Sequence, residues 1–453
     1  MNHDSDASGI PAAFLEVLQC PKHAEALHFD GTQLVSNDAK ECYPIINSTP
    51  WLLQNPLHSM VDWSIKLNHF SRVLGQEIQQ LERELKNSQG ATRERLELLL
   101  GAKQRFVQDI STLVSPILSA KVASKPVYDA LSDRAPSTQN LLSYEANLYR
   151  DWVWGDEENE QYAELVTKAL SAQQHNRVAI LGAGSARLSY DLARALDPEL
   201  LVSNDINPLL VFAAKEILFG QGLAIDEFPF HPKNIASTAI RHQIEAIKDC
   251  PGNLHFLFSD AAKPALRAAS MDVVVTPWLI DIQPLPLLKF LKAINHYLPT
   301  GGLWVNFGSL VFQQQRESLC YSIEEIASIA EQAGFKIEEI SEQALPYLKS
   351  PYNAGYRIET VWSWRAVKVK DVTLSESVDN LPDWIIDATQ AVPNDSKIQS
   401  LIQTNQVYID LAKKVNGKRS LVDISKHFAR DYNVSPQESL QLVKEFFQKI
   451  AFS

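Results

Sequence analysis

The stretch Val178-Ala-Ile-Leu-Gly-Ala-Gly-Ser-Ala-Arg-Leu188, followed by Leu201-Val-Ser-Asn-Asp205, leaves this chain few folds to choose from. Val178 to Leu181 is a continuous apolar run, as expected of a strand buried on both faces of a parallel sheet. Gly182-Ala-Gly184 turns tightly and lets a ligand come close to bare backbone. Ser185 to Leu196 carries helical periodicity, so the turn opens a helix whose first N–H groups have no partner within it. The chain then returns through a second apolar strand from Leu200 and ends on Asp205. An acid about 20 residues beyond the glycines is placed to accept hydrogen bonds from both hydroxyls of a ribose.

Two nucleotide ligands suit such a turn. A dinucleotide wants a third glycine, because its pyrophosphate lies against backbone, and here Arg187 stands at that position. The shorter turn with an acidic second strand suits S-adenosylmethionine, which has no phosphate and carries a positive sulfonium. The glycines alone would also serve an ordinary strand-to-helix turn; Asp205 is what tips the balance to a ligand site.

Downstream the alternation continues. A helix over Pro208–Leu218 and a polar insertion with His231 and His242 precede a third strand, Leu254–Phe258, which runs into Ser259-Asp260-Ala261. Ligands of open α/β sheets bind at the carboxyl ends of the strands, so Asp260 is placed to accept from the adenine amino group. A fourth, β-branched strand spans Met271–Asp281 and carries Pro277, Trp278 and Asp281 at its end. A fifth is Leu303–Gly308; a helix over Ser322–Ala333 and two strands, Phe335–Glu339 and Ile358–Trp364, close the pattern. The expected fold is α/β, a doubly wound, mostly parallel sheet with one antiparallel member. Just before the first strand, Tyr144 to Trp154 is rich in aromatic and charged residues. It reads as a helix capping a sheet edge, or as a lid in which Tyr149 or Trp152 stacks on the cofactor and Arg150 grips its carboxylate.

At 453 residues the chain has room for two or three domains, and 45% apolar residues suit full-sized cores. A net charge of −12 without a basic block speaks against a large nucleic-acid footprint. Four scattered cysteines make no disulfide framework, and no run of eighteen apolar residues spans a membrane. With no signal peptide visible at Met1–Ser8, a cytoplasmic location is expected.

The flanks differ from the centre. Met60 to about Ala120 is helical on both sides of Gly90, which predicts a hairpin packed on the next domain or serving a homodimer. Polar residues with scattered prolines over 369–395 read as a linker, and from Ile398 helical periodicity resumes; Ser435-Pro-Gln-Glu438 has the form of a helix start.

Three resemblances follow from these residues. Cys20-Pro21, Tyr43-Pro-Ile45 and Pro50-Trp-Leu-Leu53 resemble the small zinc-ribbon-like proteins that activate methyltransferases. With His23, Ser36 and Ala39 where the ligands should fall, and Cys42 displaced, a metal-free ribbon is expected. Residues 60–368 resemble the carnosine N-methyltransferase family, through Arg150-Asp-Trp152, Leu181-Gly-Ala-Gly-Ser-Ala-Arg-Leu188, Asn204-Asp205, Leu279-Ile-Asp-Ile282 and Gly301-Gly-Leu-Trp-Val-Asn-Phe-Gly308. Gly417-Lys-Arg-Ser-Leu-Val-Asp-Ile424 is similar to the peptide chaperone of pyrroloquinoline quinone biosynthesis, a module that holds leader peptides by β-augmentation.

The central resemblance implies a Rossmann-like class I methyltransferase with S-adenosylmethionine held by Arg150, Gly182, Gly184, Asp205 and Asp260. Tyr149, Arg187, Ala261 and Trp278 join them on the cofactor side. It implies Asp281 as the group beside the methyl acceptor, with Asn306, Gln313 and Tyr356 also on that side and Tyr356 a second catalytic candidate. The family's histidine after the fifth strand is replaced in the stretch Phe312-Gln313, so free carnosine is not the expected acceptor. The expected division is a ribbon over 10–55, a helical hairpin over 60–140, the methyltransferase over 141–368, the linker, and a winged-helix-like peptide-recognition domain over 396–453. The expected activity is N-methylation of an imidazole or amine nitrogen of a peptide, such as one bearing a leader. Its rivals are an RNA methyltransferase and a peptide-binding scaffold without catalysis.

Overall fold

The computed structural model describes residues 10–54, 56–118, 142, 144–170, 175–283, 286–312, 314 and 317–374, with parts of 410–443. The chain divides into two compact units, Met1–Leu374 and Ser375–Ser453. Among the described residues no helix is long and apolar enough to cross a membrane.

The first unit begins with a short helix, α1 (Ala12–Val17), and a four-stranded antiparallel ribbon: β1 (Leu27–Phe29), β2 (Gln33–Ser36), β3 (Cys42–Ile46) and β4 (Thr49–Pro50). Two long helices follow, α2 (Pro56–Leu85) and α3 (Gly90–Leu113), then one turn, α4 (Ser115–Leu118). The predicted hairpin is there, broken where Gly90 adopts a positive φ.

Next come α5 (Glu145–Tyr149), a five-residue π turn (Arg150–Trp154) and α6 (Asp156–Leu170). The α/β part then runs β5 (Arg177–Leu181), α7 (Arg187–Leu196), β6 (Leu200–Asp205), α8 (Pro208–Leu218), β7 (Leu223–Glu227), β8 (Ile240–Ile244) and β9 (Leu254–Phe258). It continues with β10 (Val273–Pro277), α9 (Leu287–Tyr297), β11 (Leu303–Gly308), α10 (Ile323–Gln332), β12 (Phe335–Tyr347) and β13 (Arg357–Lys368). In the second unit one helix, α11 (Leu421–Tyr432), is described, started by a capping box between Ser420 and Asp423.

Seven strands form the central sheet in the order β12-β13-β11-β10-β5-β6-β9. β5, β6, β9, β10 and β11 are parallel, and β13 lies antiparallel between β11 and β12. The strand order reverses at β5, so the crevice above the ends of β5 and β10 is where a ligand of such a sheet binds. Side chains alternate between two cores. Val178, Ile180, Val273 and Val275 face α2, α3 and α8, while Ala179, Leu181, Val274 and Trp304 face α1, α9 and α10.

The sheet's two edges are treated differently. On the β9 side the ribbon continues the sheet: Trp51 bridges Phe258 in parallel, and the Leu52 N–H donates to the Phe258 carbonyl at 2.8 Å. Lys215 of α8 fastens the ribbon's tip by donating to the Asn47 carbonyl and the Thr49 hydroxyl. On the other side β12 has no neighbour among the described residues.

Several sequence expectations are corrected. The polar insertion is itself a two-stranded hairpin, β7 with β8, and His242 is buried in it against Glu227 at 2.7 Å. The fourth strand stops at Pro277, because Trp278 adopts a left-handed φ of 48° and the chain turns through Ile280–Ile282. The last two strands are far longer than expected, since each is shielded by the other where the sheet gives out. In the ribbon, Cys20 Sγ lies 3.0 Å from the Tyr43 hydroxyl, Cys42 is exposed, and His23 faces Glu41 at 3.5 Å. Among the described residues no group of three or more His, Cys, Asp or Glu is arranged to hold a metal ion.

Candidate active site

Local sequence builds the floor of the crevice. Gly182 has φ +72°, a backbone conformation that favours glycine, and a Cβ there would also displace the Leu279 side chain, whose Cδ1 would lie 2.8 Å away. Gly184, at φ +58°, would instead send a Cβ into open space: it faces the cavity. Its N–H donates to Asp205 Oδ2 at 2.7 Å, and the Asn207 N–H donates to Oδ1 at 2.8 Å. Asp205 is thereby fixed at the end of β6. Burial pushes its carboxyl up to about 6, against the pull of the Asn207, Gly184 and Ile206 amides. Asn204 spans to the next strand end, its amide donating to the Leu257 and Ser259 carbonyls at 3.3 Å each. Asp260, held by the Ala262 N–H at 2.9 Å, is likewise raised by burial.

These groups line one cavity of about 820 Å³. Asp281 stands in it too, at the turn after β10, with the Val311 N–H donating to Oδ2 at 3.2 Å. Burial lifts its carboxyl to about 6, outweighing the amides that stabilise the charge. Trp278 meets Tyr162 and Tyr347 with ring centroids 6.0 and 4.8 Å away.

Arg150 is placed by the π turn, closed where the Gly155 N–H donates to the Arg150 carbonyl at 2.8 Å. A Cβ at Gly155 would sit 2.4 Å from Arg150 Cγ, so that glycine is what allows the arginine's course. The guanidinium is buried, donates to Asp151 Oδ1 at 2.7 and 2.8 Å, and lies over the Tyr162 ring at 5.4 Å. Asp151 in turn accepts from Ser185 in the glycine turn.

Of the residues singled out in the sequence, Arg150, Gly182, Gly184, Asp205, Asp260, Ala261, Trp278 and Asp281 line this cavity. Four do not. Tyr149 is in the core, its hydroxyl 2.7 Å from Glu145 and 2.8 Å from the Asp226 carbonyl. Arg187 turns back to brace the turn, donating to the Asp151 carbonyl at 2.7 Å and pairing with Asp156 and Asp191. Asn306 is consumed within the sheet, 2.8 Å from the Thr276 hydroxyl. Tyr356 is 52% exposed and lines a separate depression with Lys233 and Lys349. Trp152 also points away, its Nε1 donating to the Ser185 carbonyl at 2.9 Å. Gln313 lies outside the described residues.

The cavity also holds residues that sequence reasoning passed over: Tyr144, Asn147, Tyr347, Arg357 and Glu359. Asn147 had a signal, one helical turn before Arg150; the three strand-end residues needed the length of β12 and β13 to be known.

The cavity's chemistry fits S-adenosylmethionine. Three buried polar atoms of its lining, Asn147 Oδ1, Asn204 Oδ1 and Trp278 Nε1, have no hydrogen-bond partner among the described residues. A native interior rarely leaves such atoms unpaired, and a polar ligand answers them. The two acids at the ends of β6 and β9 suit a ribose and an adenine amino group, and Gly184 leaves the close approach open.

The chain is similar to several solved structures. The N-methyltransferase NodS from Bradyrhizobium japonicum, in complex with S-adenosyl-L-homocysteine, is 14% identical with a TM-score of 0.35, over 51% of this chain and 98% of that one. A SAM-dependent methyltransferase from Aquifex aeolicus is 14% identical with a TM-score of 0.31, over 47% and 98%. A chain of the complex between the Haloferax volcanii Trm112 methyltransferase activator and a methyltransferase is 15% identical with a TM-score of 0.35, over 51% and 97%. With TM-scores this low, none of the three bears on substrate or partner. No curated protein matches the sequence. Residues 135–370, just over half of the chain, match the family described as carnosine N-methyltransferase. The chain therefore belongs to the carnosine N-methyltransferase family and is an S-adenosylmethionine-dependent methyltransferase.

Proposed function

We propose that this enzyme methylates an imidazole or amine nitrogen of a peptide. The observation that carries the reading is Asp281, a buried carboxyl at the mouth of β10 in the same cavity as Asp205 and Asp260. S-adenosylmethionine supplies an electrophilic methyl group on a sulfonium. Arg150, Gly184, Asp205 and Asp260 would hold it, with Asn147 and Trp278 offering an acceptor and a donor that the chain itself leaves unused.

The chain's own work on the acceptor falls to Asp281. With its carboxyl at about 6 it is mostly ionised at neutral pH, and it accepts the N–H of one imidazole nitrogen. That fixes the tautomer and leaves the other nitrogen's lone pair free to attack. As positive charge grows on the ring, the same carboxylate stabilises it and takes the N–H proton when transfer is complete. Tyr347 and Trp278 wall the acceptor end with apolar faces, and Glu359 and Arg357, paired at 3.0 Å, sit at its rim. Alignment of the nucleophile by these walls supplies most of the rate.

The C-terminal resemblance supports a peptide rather than a free small molecule as the acceptor; of its motif, Gly417 lies outside the described residues, as do Gln437 and Glu438 of the following helix start. The test is to incubate the enzyme and S-adenosylmethionine with histidine- and lysine-containing peptides and read methyl addition by mass spectrometry. Asp281→Asn is expected to lower methyl transfer by about a thousandfold while S-adenosylhomocysteine still binds. An Asp281→Asn enzyme that turns over normally would remove the aspartate from the reaction.

A further inference from the structure

Part of the cavity's wall does not come from the region that matches the family. Leu53, Ser59, Asp62, Trp63 and Lys66 line the same cavity as Asp205 and Asp260, and all five precede residue 135. Their location follows from the sheet edge. Trp51 bridges Phe258 and the Leu52 N–H bonds the Phe258 carbonyl, so Leu53 is delivered beside Ser259 and Asp260. Trp51 Nε1 then donates to Ser59 Oγ at 2.6 Å, which pins the first turn of α2 to the same spot. One turn on, Trp63 is 4% exposed, and Lys66 holds it: Nζ lies 4.3 Å from the ring centroid and 2.8 Å from Asp62.

We infer that Leu53 and Trp63, seated by the ribbon's pairing with β9, complete the nucleobase pocket of the cofactor site, with Lys66 as a positioning residue for Trp63. The nucleobase would bring its amino edge to Asp260 and its apolar face to Leu53 and Trp63, in a cavity that Ile206 and Leu210 also line. Burying a flat ring between apolar walls is the largest gain a nucleoside site can make. The inference rests on S-adenosylmethionine being the cofactor. It adds that Leu53, Ser59, Asp62, Trp63 and Lys66 belong to the binding site and are not merely packed near it.

Neighbouring leucines provide the control. Leu53 faces the cavity, whereas Leu52, fully buried, faces the opposite core with Leu18 and Leu34. On the full chain, calorimetry with S-adenosylhomocysteine and with adenosine should show Leu53→Ala weakening both by about tenfold or more. Leu52→Ala should lower the melting temperature yet leave both affinities within about twofold. Trp63→Phe and Lys66→Ala, milder changes, should weaken binding without loss of fold. Hydrogen exchange on the native protein should slow over residues 49–66 when S-adenosylhomocysteine is added. Unchanged affinity in Trp63→Phe and Lys66→Ala, together with unchanged exchange in that segment, would overturn the inference. A native protein that binds S-adenosylhomocysteine nowhere would overturn the cofactor assignment itself, and this pocket with it.

Discussion

Asp205 and Asp281 share a property that no sequence motif states: both are carboxyls lifted from 3.8 to about 6 by burial. Between pH 4 and 6 the folded chain therefore keeps protons that the unfolded chain has released. Stability falls as pH rises through that window and levels off above it. Ligand binding runs the other way, because ribose hydroxyls and an imidazole N–H are donors and want the ionised form. Affinity for S-adenosylhomocysteine is expected to loosen as pH drops below about 6, by up to about tenfold per unit, and Asp205→Asn should be both weaker and flatter across the same range. Calorimetry from pH 5 to 8 decides it; a native profile that is flat there would separate Asp205 from the ligand. The spacing from glycines to acid made Asp205 legible from sequence. Tyr149, Arg187 and Asn306 were legible as part of the motifs too, but a motif does not say which side of the backbone a side chain takes. Tyr149 went to the core, Arg187 to Asp151 and its neighbours, and Asn306 to Thr276.

Among the elements, the parallel strands announced themselves because strands buried on both faces are continuous apolar runs. Leu254–Phe258 and Leu303–Gly308 match the expected bounds, as does the helix Pro208–Leu218. The β7–β8 hairpin did not announce itself, since beside buried Ile225 and Ile244 it carries charged residues whose partners lie on another element. Asp226, fully buried, receives Arg105 from α3 at 2.7 Å and Arg241 from β8 at 2.7 Å, and Arg241 also meets Asp109 of α3. No periodicity foretells partners 121 residues apart. The π turn was invisible for a similar reason: Arg-Asp-Trp reads as helix, and only Gly155 hints at the wider turn. Asp226→Ala is expected to leave two guanidinium groups without their shared carboxylate and to cost about 3 kcal/mol, read as a lower urea midpoint with an unchanged slope. A midpoint equal to the native one would mean that the hairpin is held to α3 by packing alone.

At the scale of the molecule, the first unit reads as a seven-stranded sheet with a ribbon fastened to one edge and a helical hairpin laid across one face. The hairpin's existence was plain in the sequence; that its first turn would enter the cavity was not, because that depends on Trp51 meeting Phe258. The far edge has a consequence of its own. β12 exposes backbone donors and acceptors along much of its thirteen residues, an invitation to a second chain. Glu339 and Glu342 stand exposed along it, beside Glu338, which pairs with Arg365 at 3.2 Å. Those carboxylates make the approach of an identical strand a meeting of like charges. Replace them with glutamine and the repulsion lapses while the hydrogen-bonding edge remains. Light scattering should then be higher for a chain carrying Glu339→Gln and Glu342→Gln than for the native one at equal concentration, and equal scattering would clear this edge of the role; the same glutamates that look idle around the site set the conditions under which this enzyme can be stored and concentrated.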